Sequence, residues 1–388
     1  MNNFKKRLEA QLRPRVVVLS LVACLALTIG CRRMVIDKKD LRDFQQVNLI
    51  ANDGKYSPKL TDSTLMNAWG LAFSSNGIAW VNSMSGHVSE LYTADGAIVR
   101  APVKIPSPAD TVGGLPTGIV FSNGKGFKLS NGQGSLFLFV GVDGILSGWN
   151  GAANTRALLI KNNSATSVYT GLALASNGGA NYIYAANFRT GKIDVWDTTF
   201  AAVSMPFRDP GLPAGYAPFN IQAVGSWLYV LYAKVGPDGK DQAGIGNGFV
   251  DIYNTDGSFV KRFASRGTLN SPWGVAMAPA GFLESKDMGD DNGKDNGNNN
   301  SGQGHNVVDT SQPVILVGNF GDGRINVFTL DGRYQGQLQS QNRTIVIDGL
   351  WALSFAPSTA TTIDPNRLYF TAGPNKQTDG LYGYLIKQ

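Results

Sequence analysis

The sequence predicts an all-β chain folded as a six-bladed β-propeller. Three observations carry this: a motif repeated six times at nearly constant spacing, strand-like apolar runs within each repeat, and an orphan strand near the N-terminus. The copies read NAWGLAFS (Asn67–Ser74), LPTGIVFS (Leu115–Ser122), VYTGLALAS (Val168–Ser176), APFNIQAVG (Ala217–Gly225), SPWGVAMAP (Ser271–Pro279) and GLWALSFAP (Gly349–Pro357). The residue aligned with Gly70 recurs as Gly118, Gly171, Asn220, Gly274 and Ala352, at steps of 48, 53, 49, 54 and 78. The last step holds a polar insert of about 29 residues, and without it the step is about 49, so a period near 50 marks a repeat architecture.

Each copy opens with small or aromatic residues and an apolar run of strand length. A second apolar run follows: GIAWVNS, SLFLFVG, NYIYAAN, SWLYVLYA, PVILVGN and NRLYFTA. These near-continuous runs suit strands covered on both faces. Next come alternating segments, such as KIDVWDTT, FVDIYNTDG and RINVFTLDG, whose period of two suits strands with one face buried. Asp95-Gly96, Asp256-Gly257 and Asp331-Gly332 supply tight turns with positive φ. After most turns a further short strand is readable in AIVRAPVKI, SFVKRFAS and RYQGQLQS, giving about four strands per repeat, the unit of a propeller blade. The sixth copy stops after three strands, and the orphan strand Phe44–Ala51 is expected to complete it, closing the ring.

The first residues read as an export signal. Lys5, Lys6, Arg7, Arg13 and Arg15 form a basic region, and Val16–Ile29 is an apolar stretch too short for a membrane span. It ends in Leu27-Thr28-Ile29-Gly30-Cys31, which resembles a bacterial lipoprotein cleavage site. Residues 1–30 are thus expected to be a lipoprotein signal peptide, Cys31 a lipidated N-terminus, 31–43 a tether and 44–388 the propeller. Cys24 competes for this role, but its use would leave too short an apolar core. The expected location is an exported, membrane-anchored lipoprotein of the bacterial cell envelope. With no other cysteine, the folded part carries neither disulfide nor thiol chemistry.

The net charge of +6 lies outside the propeller: residues 1–30 carry +4 and residues 31–43 carry +2. A near-neutral propeller argues against nucleic acid as a partner, because phosphates need matching cations. The stretch 284–312 is rich in Asn, Gly and Asp and reads as a disordered insert. Its calcium-loop alternative lacks the required ligand spacing.

Histidine is confined to His87, in a turn, and His305, in the insert, which argues against a Ser-His-Asp triad or a multi-histidine zinc site. The glutamates are Glu9, Glu90 and Glu284, none in a repeat core. Candidate ligand residues are those that the repeat phase gathers at one channel mouth. Before the inner strands stand Asn67, Thr117, Thr170, Asn220 and Asp348; after the second strands stand Asn82, Asp143, Asn187, Lys234 and Asn319. Trp69, Phe219, Trp273 and Trp351 hold equivalent positions, flanked by Phe188 and Phe320. The expected binding set is Asn67, Trp69, Asn82, Asp143, Asn187, Phe219, Asn220, Lys234, Trp273, Asn319 and Trp351. Amides among aromatics suit a polar small molecule, a glycan or a protein. The alternative is that the asparagines brace turns and the tryptophans pack between blades.

NAWGLAF, PTGIVF, GLALASNGG, LPAGYAPFNIQ, GNGFVDIYNTDG, LNSPWGVAMAPAGF, VGNFGDGRIN and DGLW resemble a bacterial conserved-hypothetical family of exported, NHL-like propeller proteins, over about Val47–Ile386. The resemblance implies a six-bladed, NHL-like propeller and no particular activity. Two function classes follow: a binding or scaffold module, or a metal-dependent hydrolase like the gluconolactonase-type propellers. Those place a glutamate and Asn/Asp ligands around a channel metal. No glutamate is available here, though Asp143, Asn187 and Asn319 could hold a divalent cation such as calcium.

Overall fold

The computed structural model describes residues 36, 38–284 and 312–388. Cys31, the signal segment and nearly all of the 284–312 insert lie outside the described residues. The propeller has six blades, and the strands of each follow the chain from axis to rim. Blade one comprises Ala68–Phe73, Ala79–Ser83, Val88–Tyr92 and Val103–Lys104; blade two, Pro116–Phe121, Phe137–Gly141, Ile145–Trp149 and Leu158–Asn162. Blade three comprises Tyr169–Asn177, Ala180–Asn187, Lys192–Trp196 and Ala202–Val203; blade four, Tyr216–Val224, Trp227–Lys234, Gly248–Tyr253 and Phe259–Ser265. Blade five comprises Pro272–Ala278, Val314–Asn319, Ile325–Phe328 and Tyr334–Gln337.

Blade six takes Leu350–Ser354, Leu368–Ala372 and Leu381–Lys387 from the C-terminus and Phe44–Ala51 from the N-terminus. The closing strand runs antiparallel from Phe44↔Lys387 to Ala51↔Leu381, and Leu60–Thr61 adds a parallel fifth strand. Side chains fasten this seam. Asp379 receives the Tyr56 hydroxyl at 2.7 Å, the Asn52 amide at 3.2 Å and the Lys55 ammonium at 2.6 Å. The expected tether is partly folded: Ile36 and Leu41 are buried, and Leu41 occupies the space a side chain would need at Gly336 of blade five.

The repeat motif has a geometric cause. Every inner strand carries a bulge at the same phase, between Ala68/Leu71, Pro116/Ile119, Tyr169/Gly171, Pro218/Asn220, Pro272/Gly274 and Leu350/Leu353. A bulge re-aims the side chains beside it. In four blades the residue just past it is glycine, and there a Cβ would not fit against the neighbouring blade; blades four and six carry Asn220 and Ala352 instead. One added at Gly70 would lie 2.1 Å from the Thr117 carbonyl oxygen, and one at Gly118 would lie 2.5 Å from the Leu172 nitrogen. The glycines expected in Asp-Gly turns adopt positive φ: Gly96 at 90°, Gly257 at 83° and Gly332 at 98°. Blade one departs from expectation at its rim. Of AIVRAPVKI, only Val103–Lys104 forms a strand, with an isolated bridge at Ile98.

Apolar clusters fill the joints between blades. Tyr92, Tyr369 and Tyr382 pack between blades six and one, and Trp80, Phe137 and Trp149 between blades one and two. Burial of such aromatic groups is the main favourable contribution to folding.

Candidate functional site

The bulges aim the residue before each repeat glycine at the axis. In blades two and three that residue is threonine, and the Thr117 hydroxyl donates to the carbonyls of Val140 at 3.1 Å and Tyr169 at 2.7 Å. In the other four blades it is aromatic, and these rings meet across the channel. Trp351 is stacked between Trp69, at 3.6 Å between ring centroids, and Phe320, at 3.9 Å. Trp273 lies edge-on to both Trp69 and Trp351, and Phe219 packs on Trp351, Phe188 and Phe320. The Trp351 indole N–H donates to Asn67 Oδ1 at 2.9 Å, and that of Trp273 to the Thr170 carbonyl at 2.9 Å. The Trp69 indole N–H, also buried, has no hydrogen-bond partner among the described residues.

This aromatic plug divides the channel. On one side a space of about 240 Å³ runs along Gly70–Phe73, Gly118–Phe121 and Leu172–Leu174. On the other, a cavity of about 510 Å³ opens at the mouth where the inner strands begin. Trp69, Trp351, Phe188 and Phe219 line its apolar part, and Arg189, Asp238, Lys240, Asp241 and Gln377 give it polar groups. Burial raises the Asp241 carboxyl above its ordinary range.

Two loops shape this mouth. In blade four the connection after Lys234 runs from 235 to 247, whereas in blade three the same connection runs only from 188 to 191. It folds on itself, with Gly236 N–H donating to the Lys240 carbonyl at 2.7 Å and a bridge between Val235 and Asp241. In blade six, Asn375, Lys376 and Gln377 adopt φ of 55°, 57° and 69° in succession. Asp348 braces this turn by accepting from the Asn375 N–H at 2.9 Å, and Gln377 Oε1 accepts from the Asn67 amide at 3.2 Å. Successive left-handed residues other than glycine store strain, which persists where the surroundings enforce it and concentrates near functional sites.

Of the expected binding set, Trp69, Phe219 and Trp351 line the cavity, and Trp273 sits within the plug. The asparagines turn into the joints between strands. Asn82 donates to the Thr117 carbonyl at 3.0 Å, Asn220 to the Trp273 carbonyl at 2.7 Å and Asn319 to the Thr268 carbonyl at 2.8 Å. Asn187 donates to Ser167 Oγ at 3.0 Å and Asp194 Oδ2 at 2.9 Å. Asn67 is consumed between Trp351 and Gln377. Asp143 accepts from the Leu115 N–H at 3.0 Å, and Lys234 pairs opposite Tyr216; neither lines the cavity.

The residues considered for calcium are held by the protein itself: Asn187 Oδ1 accepts from the Val168 N–H and Asn319 Oδ1 from the Asn270 N–H. Among the described residues, no three His, Cys, Asp or Glu side chains converge as metal ligands. The polar residues the sequence reading passed over are Arg189, Asp238, Lys240, Asp241 and Gln377. The legible signal was the unusual length of 235–247 in the fourth copy.

No family model matches the sequence. Two mimivirus proteins align with it along most of its length. The uncharacterised protein L690 of Acanthamoeba polyphaga mimivirus is 33% identical over 361 residues, covering 88% of this chain and 86% of its own. The uncharacterised protein R648 of the same virus is 31% identical over 359 residues, covering 88% of this chain and 80% of its own. Among solved structures, virginiamycin B lyase from Staphylococcus aureus is similar at a TM-score of 0.48 and 14% identity, over 89% of this chain and 99% of that chain. The expected bacterial family is therefore corrected: the relatives found are viral. The chain belongs to the same family as the mimivirus proteins L690 and R648.

Proposed function

We propose that this propeller is a binding module whose ligand, a small polar molecule or a glycan residue, lies against the aromatic rings at the loop-covered mouth. One observation carries the reading: a cavity of about 510 Å³ in which buried tryptophan and phenylalanine rings meet charged side chains of both signs. Cavities of roughly 300–1,000 Å³ with an apolar lining and a few converging polar groups are the usual form of small-ligand sites. Trp351 is covered on both faces by Trp69 and Phe320, so the rings offer a ligand's C–H groups mainly apolar edges, while Arg189 and Lys240 can donate to hydroxyl or carboxylate groups and Asp238 can accept from hydroxyls. In this reading the chain is exported and held to a membrane by lipid at Cys31. Among the described residues no helix is long and apolar enough to cross a membrane.

Tryptophan fluorescence during titration with mono- and oligosaccharides and small carboxylates tests the site. A binding ligand should perturb the emission, and Arg189→Ala with Lys240→Ala should weaken it about tenfold, as expected for losing a charge-assisted hydrogen bond. Affinity unchanged in the double variant would remove the ligand from this mouth. For the anchor, Cys31→Ser should move the protein from the membrane fraction to the soluble one; continued membrane retention would refute it.

A further inference from the structure

A second recess lies on the outer wall, away from the channel. Blade three has an incomplete rim. Its third strand, Lys192–Trp196, pairs outward only through Val195↔Val203 and Trp196↔Ala202. In blade four the corresponding rim strand pairs from Phe249↔Ser265 to Tyr253↔Phe259. The cause is local. After Val203 the chain leaves the sheet and packs into the joint with blade four, where Phe207 contacts Tyr184 and Tyr253 at 5.8 and 5.3 Å between ring centroids. Met205 and Phe207 also close over Gly257, whose lack of a side chain admits them.

The departure opens a groove of about 760 Å³ between the uncovered edge at Lys192–Asp194 and the segment 204–208. Backbone direction alternates along a strand. The Asp197 N–H points outward, to the Ala201 carbonyl. The N–H and C=O of Ile193 therefore also face the groove, and no strand among the described residues pairs with them. Lys161, Lys192 and Arg208 line the groove. Asp194, the one carboxylate among the described residues that line it, accepts through Oδ2 from the Tyr169 hydroxyl at 3.0 Å and the Asn187 amide at 2.9 Å, so three cations face a single carboxylate. The groove thus combines an open strand edge with net positive charge.

We propose that this groove binds an extended acidic peptide segment, which adds to blade three as the missing part of its rim strand. Strand addition supplies affinity through main-chain hydrogen bonds, and flanking side chains supply specificity. The three cations select acidic residues in the incoming strand.

Fluorescence anisotropy tests this with the full chain and a labelled peptide of about six residues, a usual strand length, alternating valine with glutamate. Saturable binding is expected. Lys161→Glu with Lys192→Glu should weaken it at least about tenfold, because two attractions become repulsions. Lys192 is exposed and Lys161 half-buried at the rim, so the fold should survive, as circular dichroism would confirm. The same peptide with alternate backbone nitrogens methylated should also bind at least about tenfold more weakly, since it cannot complete the ladder. Absence of saturable binding, or affinity unchanged by the lysine reversals, would overturn the site. Equal affinity for the methylated peptide would show attraction by charge alone and overturn strand addition.

Discussion

Gly118→Ala probes the contact that sets the repeat. An alanine Cβ there would lie 2.5 Å from the Leu172 nitrogen, 2.7 Å from its Cβ and 2.8 Å from the Gly171 carbonyl carbon. Ordinary contacts between carbons are about 3.5–4.0 Å, so the inner strands of blades two and three must part by roughly 1 Å. Two of those obstacles are backbone atoms, and no change of rotamer relieves them. The neighbouring bond from the Thr117 hydroxyl to the Tyr169 carbonyl, 2.7 Å long, spans the same joint and would stretch with it. In a closed ring the displacement also passes to the other blades. Overpacking costs about 1–3 kcal/mol, and the upper end applies here. The reduced entropy of the unfolded chain offsets only about 0.4–1 kcal/mol. Gly151→Ala is the control: nothing lies within 4 Å of its Cβ position. Urea unfolding followed by tryptophan fluorescence should show Gly118→Ala less stable by about 2 kcal/mol and Gly151→Ala unchanged or slightly more stable. A Gly118→Ala protein within about 0.5 kcal/mol of the parent would refute this account of the repeat glycine.

Glu90, expected to lie outside the repeat core, is instead buried in the third strand of blade one and gives a pH prediction. Burial pushes its carboxyl up to about 7, against a bond from the Thr64 hydroxyl at 2.6 Å that acts the other way. An unfolded glutamate titrates near about 4.3, so between about 4 and 7 the folded chain holds the extra proton and stability falls as pH rises. Glu90→Gln should remove that slope and be more stable than the parent above about pH 7, by on the order of 1–3 kcal/mol; melts at several pH values showing the same slope in both would reject the assignment. Removal of residues 44–51 should lower the melting temperature by more than about 10 °C, because Tyr382 and Leu385, both 0% exposed, lose their cover. An unchanged midpoint would defeat the ring-closure model.

The sequence by itself determined the blade count, the strand order and the closing strand. These follow from local periodicity and from a motif whose glycine, present in four of the six blades, stands where the neighbouring inner strand leaves no room for a side chain. It also placed Trp69, Phe219, Trp273 and Trp351 at one height on one axis. It could not separate those rings from Asn82, Asn187 and Asn319, which share the repeat phase. The tertiary structure did so, because the bulge sends the residue before each glycine to the axis while the amides find carbonyl and N–H partners in the joints. The mouth's polar groups were equally hidden. Arg189 comes from blade three, Lys240 and Asp241 from a folded-back loop of blade four, and Gln377 from a strained turn of blade six. Their convergence depends on distant loops meeting over one opening, which ring closure imposes and no local pattern encodes.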